Sequence, residues 1–162
     1  MKNLFFYDTG IGRIGIAEND SAITDLFFEK EKAPGNCVIL ETPLIKRAVT
    51  QLYEYIDGKR RTFDLPLAPK GTAFQQKVWE ALLTIPYGHT LSYKQIAERI
   101  GNPKACRAVG MANNKNPISI IIPCHRVIGS DGSLVGYGGG LDMKVLLLNI
   151  EKENMEKEYV RQ

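Results

Sequence analysis

The centre of this 162-residue chain is the run Ile118-Ser119-Ile120-Ile121-Ile122-Pro123-Cys124-His125-Arg126-Val127-Ile128-Gly129. Four isoleucines within five residues are typical of a short strand that is buried on both faces. Proline has no N–H to donate to a sheet, so the predicted strand ends at Pro123. A cysteine, a histidine and an arginine follow at once, which places reactive side chains at the rim of a rigid core element.

Cys124 is a candidate nucleophile. A free thiol is only slightly ionised at neutral pH, and His125 and Arg126 offer the base or the positive charge that would activate it. The alternative is a structural cysteine, because cysteine is among the residues most often buried in protein cores. If residues 124 and 125 were both extended, their side chains would point to opposite faces, so pairing them needs a turn or a bridging water.

The composition, with 44% hydrophobic residues, is that of an ordinary globular protein. The first residues lack the apolar core of a signal peptide, and no stretch approaches the roughly 18 apolar residues of a membrane span. The three cysteines, at positions 37, 106 and 124, have neither disulfide-like nor metal-like spacing, and only two histidines are present. We therefore expect a cytoplasmic protein with no metal site and no membrane contact.

Charge is distributed unevenly along the chain. Residues 1–69 hold nine lysines or arginines against ten acidic residues, whereas residues 70–150 hold nine against four. The second part is therefore the one expected to meet an anion such as a phosphate backbone.

Residues 1–66 are predicted to form an N-terminal structural α/β domain, followed by a linker at residues 67–71. Apolar runs separated by turn residues indicate strands, and a Thr-Pro pair indicates a capped helix start. The expected elements are strands near residues 4–7, 14–16 and 23–28, a polar connection at 30–41, a helix from Thr42-Pro43 to Gly58, and a strand at 63–67.

Residues 72–151 are predicted to form a second, mainly helical domain. Thr72-Ala73-Phe74-Gln75 and Ser92-Tyr93-Lys94-Gln95 have the form of capping boxes, and each precedes an apolar stripe at helical spacing. Asn102-Pro103 is expected to start the next helix, which completes a helix-turn-helix. Basic residues flank that helix as in a DNA-contacting element, although two packed helices are also a common structural unit: Lys104, Arg107 and Lys115.

Glycine is concentrated after the candidate nucleophile. A tight turn with the Asp131-Gly132 signature precedes Gly136-Tyr137-Gly138-Gly139-Gly140, and so much glycine indicates that a ligand approaches the backbone closely. A last helix is expected to begin near Leu141 and to end its apolar stripe at Glu151, leaving residues 152–162 as a charged tail. Its predicted buried residues are Met143, Leu146, Leu147 and Ile150.

The run Asn116-Pro117-Ile118-Ser119-Ile120-Ile121-Ile122-Pro123-Cys124-His125-Arg126-Val127 closely resembles the active-site signature of the O6-alkylguanine-DNA alkyltransferases, also called methylated-DNA–protein-cysteine methyltransferases. The resemblance implies an α+β protein with a small ribonuclease-H-like N-terminal domain and a winged helix-turn-helix-like C-terminal domain. It extends over roughly residues 70–151, through Ser92-Tyr93, Gly101-Asn102-Pro103-Lys104-Ala105, Arg107-Ala108-Val109-Gly110, Gly136-Tyr137 and Gly139-Gly140-Leu141.

The resemblance also implies a direct-reversal repair protein that moves an alkyl group from O6 of guanine, and from O4 of thymine, in double-stranded DNA. Cys124 would be the acceptor, His125 its base through a bridging water, and Glu151 the group that orients the imidazole. Asn116 would brace the site. Such a protein acts once, as a monomer, and needs no cofactor.

Further roles follow by the same resemblance, because the damaged base has to leave the stack to reach the sulfur. Arg107 would fill the vacated position, and Tyr93 would help to rotate the backbone and protonate the leaving guanine. The other expected DNA contacts are Ser92, Lys104, Ala105, Asn113, Lys115 and Arg126. The expected pocket residues are Tyr137, Gly138, Gly139, Ser119 and Val127.

Three positions depart from the vertebrate pattern: Asn113, Ser119 and Gly138 replace methionine, proline and serine. These changes leave open the range of alkyl groups accepted and the preference between guanine and thymine. Three other functions are possible: a lesion sensor of the alkyltransferase-like kind, a helix-turn-helix transcription factor with a redox-sensing cysteine, and a cysteine hydrolase. The sensors usually carry tryptophan in place of the cysteine, the transcription factor requires a strong base-sequence preference, and the hydrolase requires a peptide groove.

Overall fold

The computed structural model describes residues 1–161, which divide into two compact units. The first unit contains Met1–Lys70 and Pro117–Ile121, and the second contains Gly71–Asn116 and the chain from Ile122 onward. The first unit is a sheet with one helix, and the second is mainly helical. The predicted α+β class is confirmed, but residues 117–121 belong to the first unit and not to the second domain in which the sequence-based division placed them.

The first unit is built on a four-stranded sheet in the order β3-β2-β1-β4. β1 and β2, and likewise β2 and β3, pair antiparallel, so the predicted meander is confirmed, whereas β4 runs parallel to β1. β4 lies in the stretch predicted to be a polar connection, because three residues are too few to show a strand's alternation. The strands are β1 (Lys2–Thr9), β2 (Gly12–Glu18), β3 (Ile23–Phe28) and β4 (Cys37–Ile39).

Helix α1 (Pro43–Ile56) packs on this sheet. The Thr42 side chain accepts a hydrogen bond from the N–H of Ile45, as the predicted cap requires. The predicted strand at residues 63–67 is reduced to one bridge between Leu67 and Ile23. The helix buries an apolar face against the strands that includes Ile45, Ala48, Leu52 and Tyr55.

The run of isoleucines is buried but is not a strand. Only Ile118 forms a bridge, to Leu26 of β3. Ile120 has a φ of 72°, and the N–H of Ile121 donates to the carbonyl of Ser119 at 2.8 Å, which is the geometry of a γ-turn. The prediction of a strand is wrong because apolar side chains report burial and not backbone conformation.

The second unit contains four helices, two two-residue strands and one 3₁₀ turn within the described residues. Both predicted capping boxes are present, at the starts of α2 and α3. The elements are α2 (Ala73–Leu82), β5 (Leu91–Ser92), α3 (Tyr93–Arg99), α4 (Cys106–Asn114), the 3₁₀ turn (Cys124–Arg126), β6 (Val127–Ile128) and α5 (Leu141–Arg161).

The second helix of the helix-turn-helix begins later than predicted. Asn102 lies in a turn, in which its carbonyl accepts a hydrogen bond from the N–H of Ala105 at 3.0 Å, and α4 begins at Cys106. The Asn-Pro pair therefore forms the turn before the helix instead of its cap. The tight turn predicted at Asp131-Gly132 is present, because the N–H of Gly129 donates to the carbonyl of Ser133 at 2.8 Å.

Helix α5 differs from its prediction in two respects. It continues to Arg161, so residues 152–161 are helical, while Gln162 lies outside the described residues. Its buried face is formed by Lys144, Leu147 and Glu151, spaced three and four residues apart, whereas Leu146 is exposed. The stripe predicted from apolar residues alone missed two charged side chains on this face.

None of the helices within residues 1–161 combines the length and the apolar character that a membrane crossing requires. Among the side chains that the structure describes, no three His, Cys, Asp or Glu groups come together in a way that could hold a metal ion. Cys37, Cys106 and Cys124 are not joined in disulfide bonds.

Candidate active site

Cys124 opens a 3₁₀ turn at the end of the isoleucine run. Pro123, with φ −81° and ψ 64°, forms an inverse γ-turn in which the N–H of Cys124 donates to the carbonyl of Ile122 at 2.8 Å. The chain then winds through residues 124–126, closed by the N–H of Arg126 on the carbonyl of Pro123 at 3.0 Å. Because the chain turns here, Cys124 and His125 are not on opposite faces of a strand.

Two asparagine side chains hold the backbone around the thiol. Asn116 donates to the carbonyl of Ile122 at 2.8 Å, and Asn113 donates to the carbonyl of Cys124 at 3.3 Å. Asn116 therefore lies where a bracing residue is expected. The prediction that Asn113 contacts DNA is wrong, because it faces inward from α4 and is only 1% exposed.

Glu151 is the point at which three segments of the second unit meet. Its carboxylate accepts hydrogen bonds from His125 Nε2 at 2.6 Å, from the Arg126 guanidinium at 2.9 and 3.1 Å, and from the N–H of Gly88 at 3.0 Å. Glu151 and His125 are both fully buried. A buried carboxylate needs this many donors, since the loss of hydration would otherwise be uncompensated.

This arrangement sets the protonation states of the pair. Burial favours the neutral acid, but hydrogen bonds and charges from His125 and Arg126 outweigh it and lower the pKa of Glu151 to about 2. Burial lowers the pKa of His125, only partly opposed by Glu151. At neutral pH the imidazole is therefore neutral, with its hydrogen on Nε2 toward the carboxylate, and Nδ1 is the basic nitrogen that can accept a proton from a thiol.

Arg126 belongs to this buried network. Its Nη1 donates to the carbonyl of Ile85 at 2.7 Å, and its guanidinium lies 5.6 Å from the centre of the Tyr87 ring. The prediction that Arg126 contacts DNA is therefore wrong. Its positive charge instead pairs with the carboxylate of Glu151. The same charge helps to lower the pKa of His125, so that the imidazole stays neutral.

Hydrogen bonds from α3 and α5 hold the start of the glycine-rich segment, at the carbonyls of residues 135 and 136. Tyr93 Oη donates to the carbonyl of Val135 at 2.7 Å, and Lys144 Nζ donates to the carbonyls of Val135 and Gly136 at 3.1 and 3.4 Å. Burial, and after it the charge of the Cys124 and Cys106 thiolates, raises the pKa of Tyr93, so its hydroxyl keeps its proton at neutral pH. Within this segment Tyr137 and Gly139 are half-buried and Gly138 is exposed.

A cavity of about 510 Å³ lies beside this segment and the helix-turn-helix. Gly136, with φ 64°, lies so close to Asn114 that a Cβ atom would be 2.9 Å from the side-chain oxygen of Asn114. The cavity is lined by Tyr93, Cys106, Arg107, Gly110, Met111, Asn114, Val135 and Gly136.

The remaining predicted contacts lie in different places. Lys104, Arg107 and Lys115 are exposed at or near α4, as a DNA-facing surface requires, and their contact with DNA stays a prediction. Ser92 caps α3, and Ala105 is the half-buried residue that precedes α4.

Two predicted pocket residues are buried. Val127 pairs with Leu91 in the β5–β6 ladder. The N–H of Ser119 donates to the carbonyl of Leu26 at 3.0 Å, which places Ser119 in the first unit. The roles of Val127 and Ser119 in substrate binding therefore stay predictions.

Sequence reasoning missed Lys144, Gly88 and Ile85. A signal for Lys144 was present, because it lies three residues before Leu147 and seven before Glu151, on one helical face. Gly88 and Ile85 contribute only backbone groups, for which side-chain patterns carry no signal.

Comparison with known proteins assigns the same two parts to one family. Residues 73–153 match the family model described as 6-O-methylguanine DNA methyltransferase, DNA binding domain, and residues 5–69 match its ribonuclease-like domain. The methylated-DNA–protein-cysteine methyltransferase of Methanosarcina barkeri is 51% identical over 157 residues, covering 93% of this chain and 99% of its own. The constitutive methyltransferase of Bacillus subtilis is 49% identical, over 90% of this chain and 92% of its own.

The likeness extends to three-dimensional structure. The crystal structure of Mycobacterium tuberculosis OGT in complex with DNA superposes with a TM-score of 0.89 at 46% identity, over 94% of each chain. Sequence and structure agree over nearly the whole chain, and the chain belongs to the 6-O-methylguanine DNA methyltransferase family.

Proposed function

We propose that this protein repairs alkylated DNA by direct reversal, moving a methyl group from O6 of guanine to the sulfur of Cys124. The observation that carries the proposal is the position of Cys124 directly before His125, whose imidazole is held by Glu151 at 2.6 Å. A cysteine next to an oriented, neutral imidazole is the arrangement that produces a thiolate nucleophile.

The reaction exchanges one bond for another. A bond forms between the sulfur and the methyl carbon, while the bond between that carbon and guanine O6 breaks. The thiol proton passes to His125, through water in the arrangement that the family resemblance implies, and the departing guanine gains a proton for which Tyr93 is the donor. The products are a thioether at Cys124 and an unmodified guanine, and the proton gained by His125 balances the proton lost by Tyr93.

Access to the sulfur requires the nucleotide to leave the duplex. Cys124 is only 3% exposed, so a base that remains stacked cannot bring its alkyl carbon in line with the sulfur. Flipping costs a few kcal/mol, and we assign the insertion that offsets part of this cost to exposed Arg107. Lys104 and Lys115 carry charges suited to the phosphates on either side.

Several finer points are part of the same proposal. A thioether has no good leaving group, so each molecule acts once, without a cofactor and as a monomer. O4-alkylthymine is proposed as a second substrate. A reducing compartment such as the cytoplasm suits a protein that depends on a free thiol.

The test is intact-protein mass spectrometry after incubation with duplex DNA that carries O6-methylguanine. The expected result is a mass gain of one methylene unit, complete at one equivalent of DNA and located on the Cys124 peptide. Cys124→Ser should show no gain, whereas Cys37→Ser should behave as the parent protein. Tight binding to the damaged duplex without any gain would overturn the proposal and favour a lesion sensor, and repeated turnover would exclude a suicidal acceptor.

A further inference from the structure

Lys144 is a fully buried lysine in the first turn of α5. Its ammonium group donates to the carbonyl of Val135 at 3.1 Å and to that of Gly136 at 3.4 Å. It also lies 5.9 Å from the centre of the Tyr93 ring. Lys144 therefore joins α5 to the segment that forms one wall of the cavity.

This position is unfavourable for a cation in two respects. Burial lowers the pKa of Lys144, and the charge of the Cys124 thiolate opposes that shift only in part. The first turn of a helix is also the positive end of its dipole, where an ammonium group is repelled. A buried lysine in the first turn of a helix costs stability, which points to a functional role for Lys144.

The carbonyl of Val135 has a second donor, because Tyr93 Oη bonds to it at 2.7 Å. A tyrosine hydroxyl has one hydrogen to donate. In the proposed reaction the Tyr93 hydroxyl points its one hydrogen at the flipped nucleotide, to which it donates first a hydrogen bond and then the proton, so it cannot keep its bond to Val135 at the same time. The ammonium group of Lys144 is then the side-chain donor that stays bonded to the carbonyl of Val135.

We propose that Lys144 is a positioning residue that keeps the carbonyl of Val135 bonded while Tyr93 transfers its hydrogen bond to the flipped nucleotide. This inference rests on the proposed function and assigns a further residue to it. In the free protein the bond to the carbonyl of Val135 keeps Tyr93 oriented. Once Tyr93 has given up that bond, Lys144 holds the cavity wall in place. Without the lysine, the departure of Tyr93 leaves a carbonyl without a donor.

The inference predicts that the two side chains are coupled. Lys144→Met should slow single-turnover methyl transfer from duplex DNA about tenfold, the effect of removing one hydrogen bond from a charged donor to the cavity wall. In a Tyr93→Phe background no hydroxyl leaves the carbonyl during the reaction. There the same lysine substitution should have less than about a threefold effect, because the interaction between the residues has already been removed.

The experiment measures the four rates of this double-mutant cycle, together with Lys144→Arg, at equal DNA concentration. Lys144→Arg retains the charge and the donors and should recover most of the rate. Equal losses from Lys144→Met in both backgrounds would overturn the inference, because a purely structural lysine has that effect. Failure of Lys144→Arg to recover any rate would also count against it.

Two controls keep the result interpretable. Thermal unfolding identifies variants that fail to fold, and Lys144→Leu, which also has no donor, replaces Lys144→Met in the same cycle if the methionine variant does. The parent protein has to methylate Cys124 in the same assay. If it does not, the proposed function fails, whereas an active parent with additive losses contradicts only the role of Lys144.

Discussion

Arg126 forms a bidentate salt bridge with Glu151, in which Nε donates to Oε1 at 2.9 Å and Nη2 donates to Oε2 at 3.1 Å. Both side chains are almost completely buried, and Arg126 also holds the carbonyl of Ile85. The arginine of the active-site signature is therefore a structural cation that keeps the carboxylate charged and in place for His125.

Arg126→Met should destabilise the protein by about 3–5 kcal/mol, because it leaves a buried carboxylate without its charged partner. Urea unfolding measures this change. Arg13→Met is the matched control, since the pair of Arg13 with Asp8 is solvent-exposed and 3.6 Å long, and it should have little effect. Similar unfolding midpoints for the two variants would contradict this account of Arg126.

Stability should fall with acid in two steps. The pKa of His125 lies below its ordinary 6.5 in the folded protein, so its contribution is complete above pH 6.5 and is lost as the pH falls below that value. The pKa of Glu151 is lowered from 4.5 to about 2, so its contribution is complete above pH 4.5 and is lost between 4.5 and 2. Urea midpoints measured across this range should show both steps.

His125→Gln should remove the upper of these two steps, because glutamine does not titrate there. His89→Gln is the control, since His89 is the other histidine of the chain and is exposed. An unchanged slope between pH 6.5 and 4.5 in His125→Gln would show that another group causes the step.

Gly136→Ala should slow methyl transfer more than Gly132→Ala does. Both glycines have positive φ, at 64° and 85°, so both variants carry a similar backbone strain of about 1 kcal/mol. Only at Gly136 does the added Cβ atom meet a neighbour, the side chain of Asn114, whereas the space around Gly132 is open. Single-turnover rates test this prediction, and equal rates for the two variants would indicate that the contact with Asn114 does not shape the pocket.

Arg107→Ala should slow repair of duplex DNA by about tenfold or more, because an inserted side chain offsets part of the few kcal/mol needed to unstack a base. The reaction with free O6-methylguanine should be unaffected, since no base has to be flipped. Arg99→Ala is the control, because Arg99 is exposed on α3 and bonds Thr84. Equal slowing on both substrates would place Arg107 in the chemical step and not in base flipping.

Much of the helical framework could be predicted from local signals. Thr42, Thr72 and Ser92 each cap the helix that they were expected to start, since a cap is a contact between residues three apart. In the isoleucine run, local signals predicted burial but not the backbone conformation. Its burial was predicted correctly, but the positive φ of Ile120 arises from tertiary packing, against the preference of a β-branched residue.

The candidate active site likewise has a part that the sequence predicted and a part that depends on distant contacts. A proline, a cysteine, a histidine and an arginine in succession predicted the nucleophile and its base, because neighbours in sequence are held near one another by the chain itself. The surroundings of Glu151 depend on contacts across 25, 26 and 63 residues, and those of Val135 on a contact across 42.

By itself, the sequence determined the family, the candidate nucleophile and most helix starts, all of which depend on residues close together in the chain. Only the tertiary structure decided that Arg126 and Asn113 face inward and that Lys144 and Tyr93 share one carbonyl. The physical reason is that a polar side chain pairs with whichever partner packing brings within hydrogen-bond distance, and neither spacing nor residue type specifies that partner.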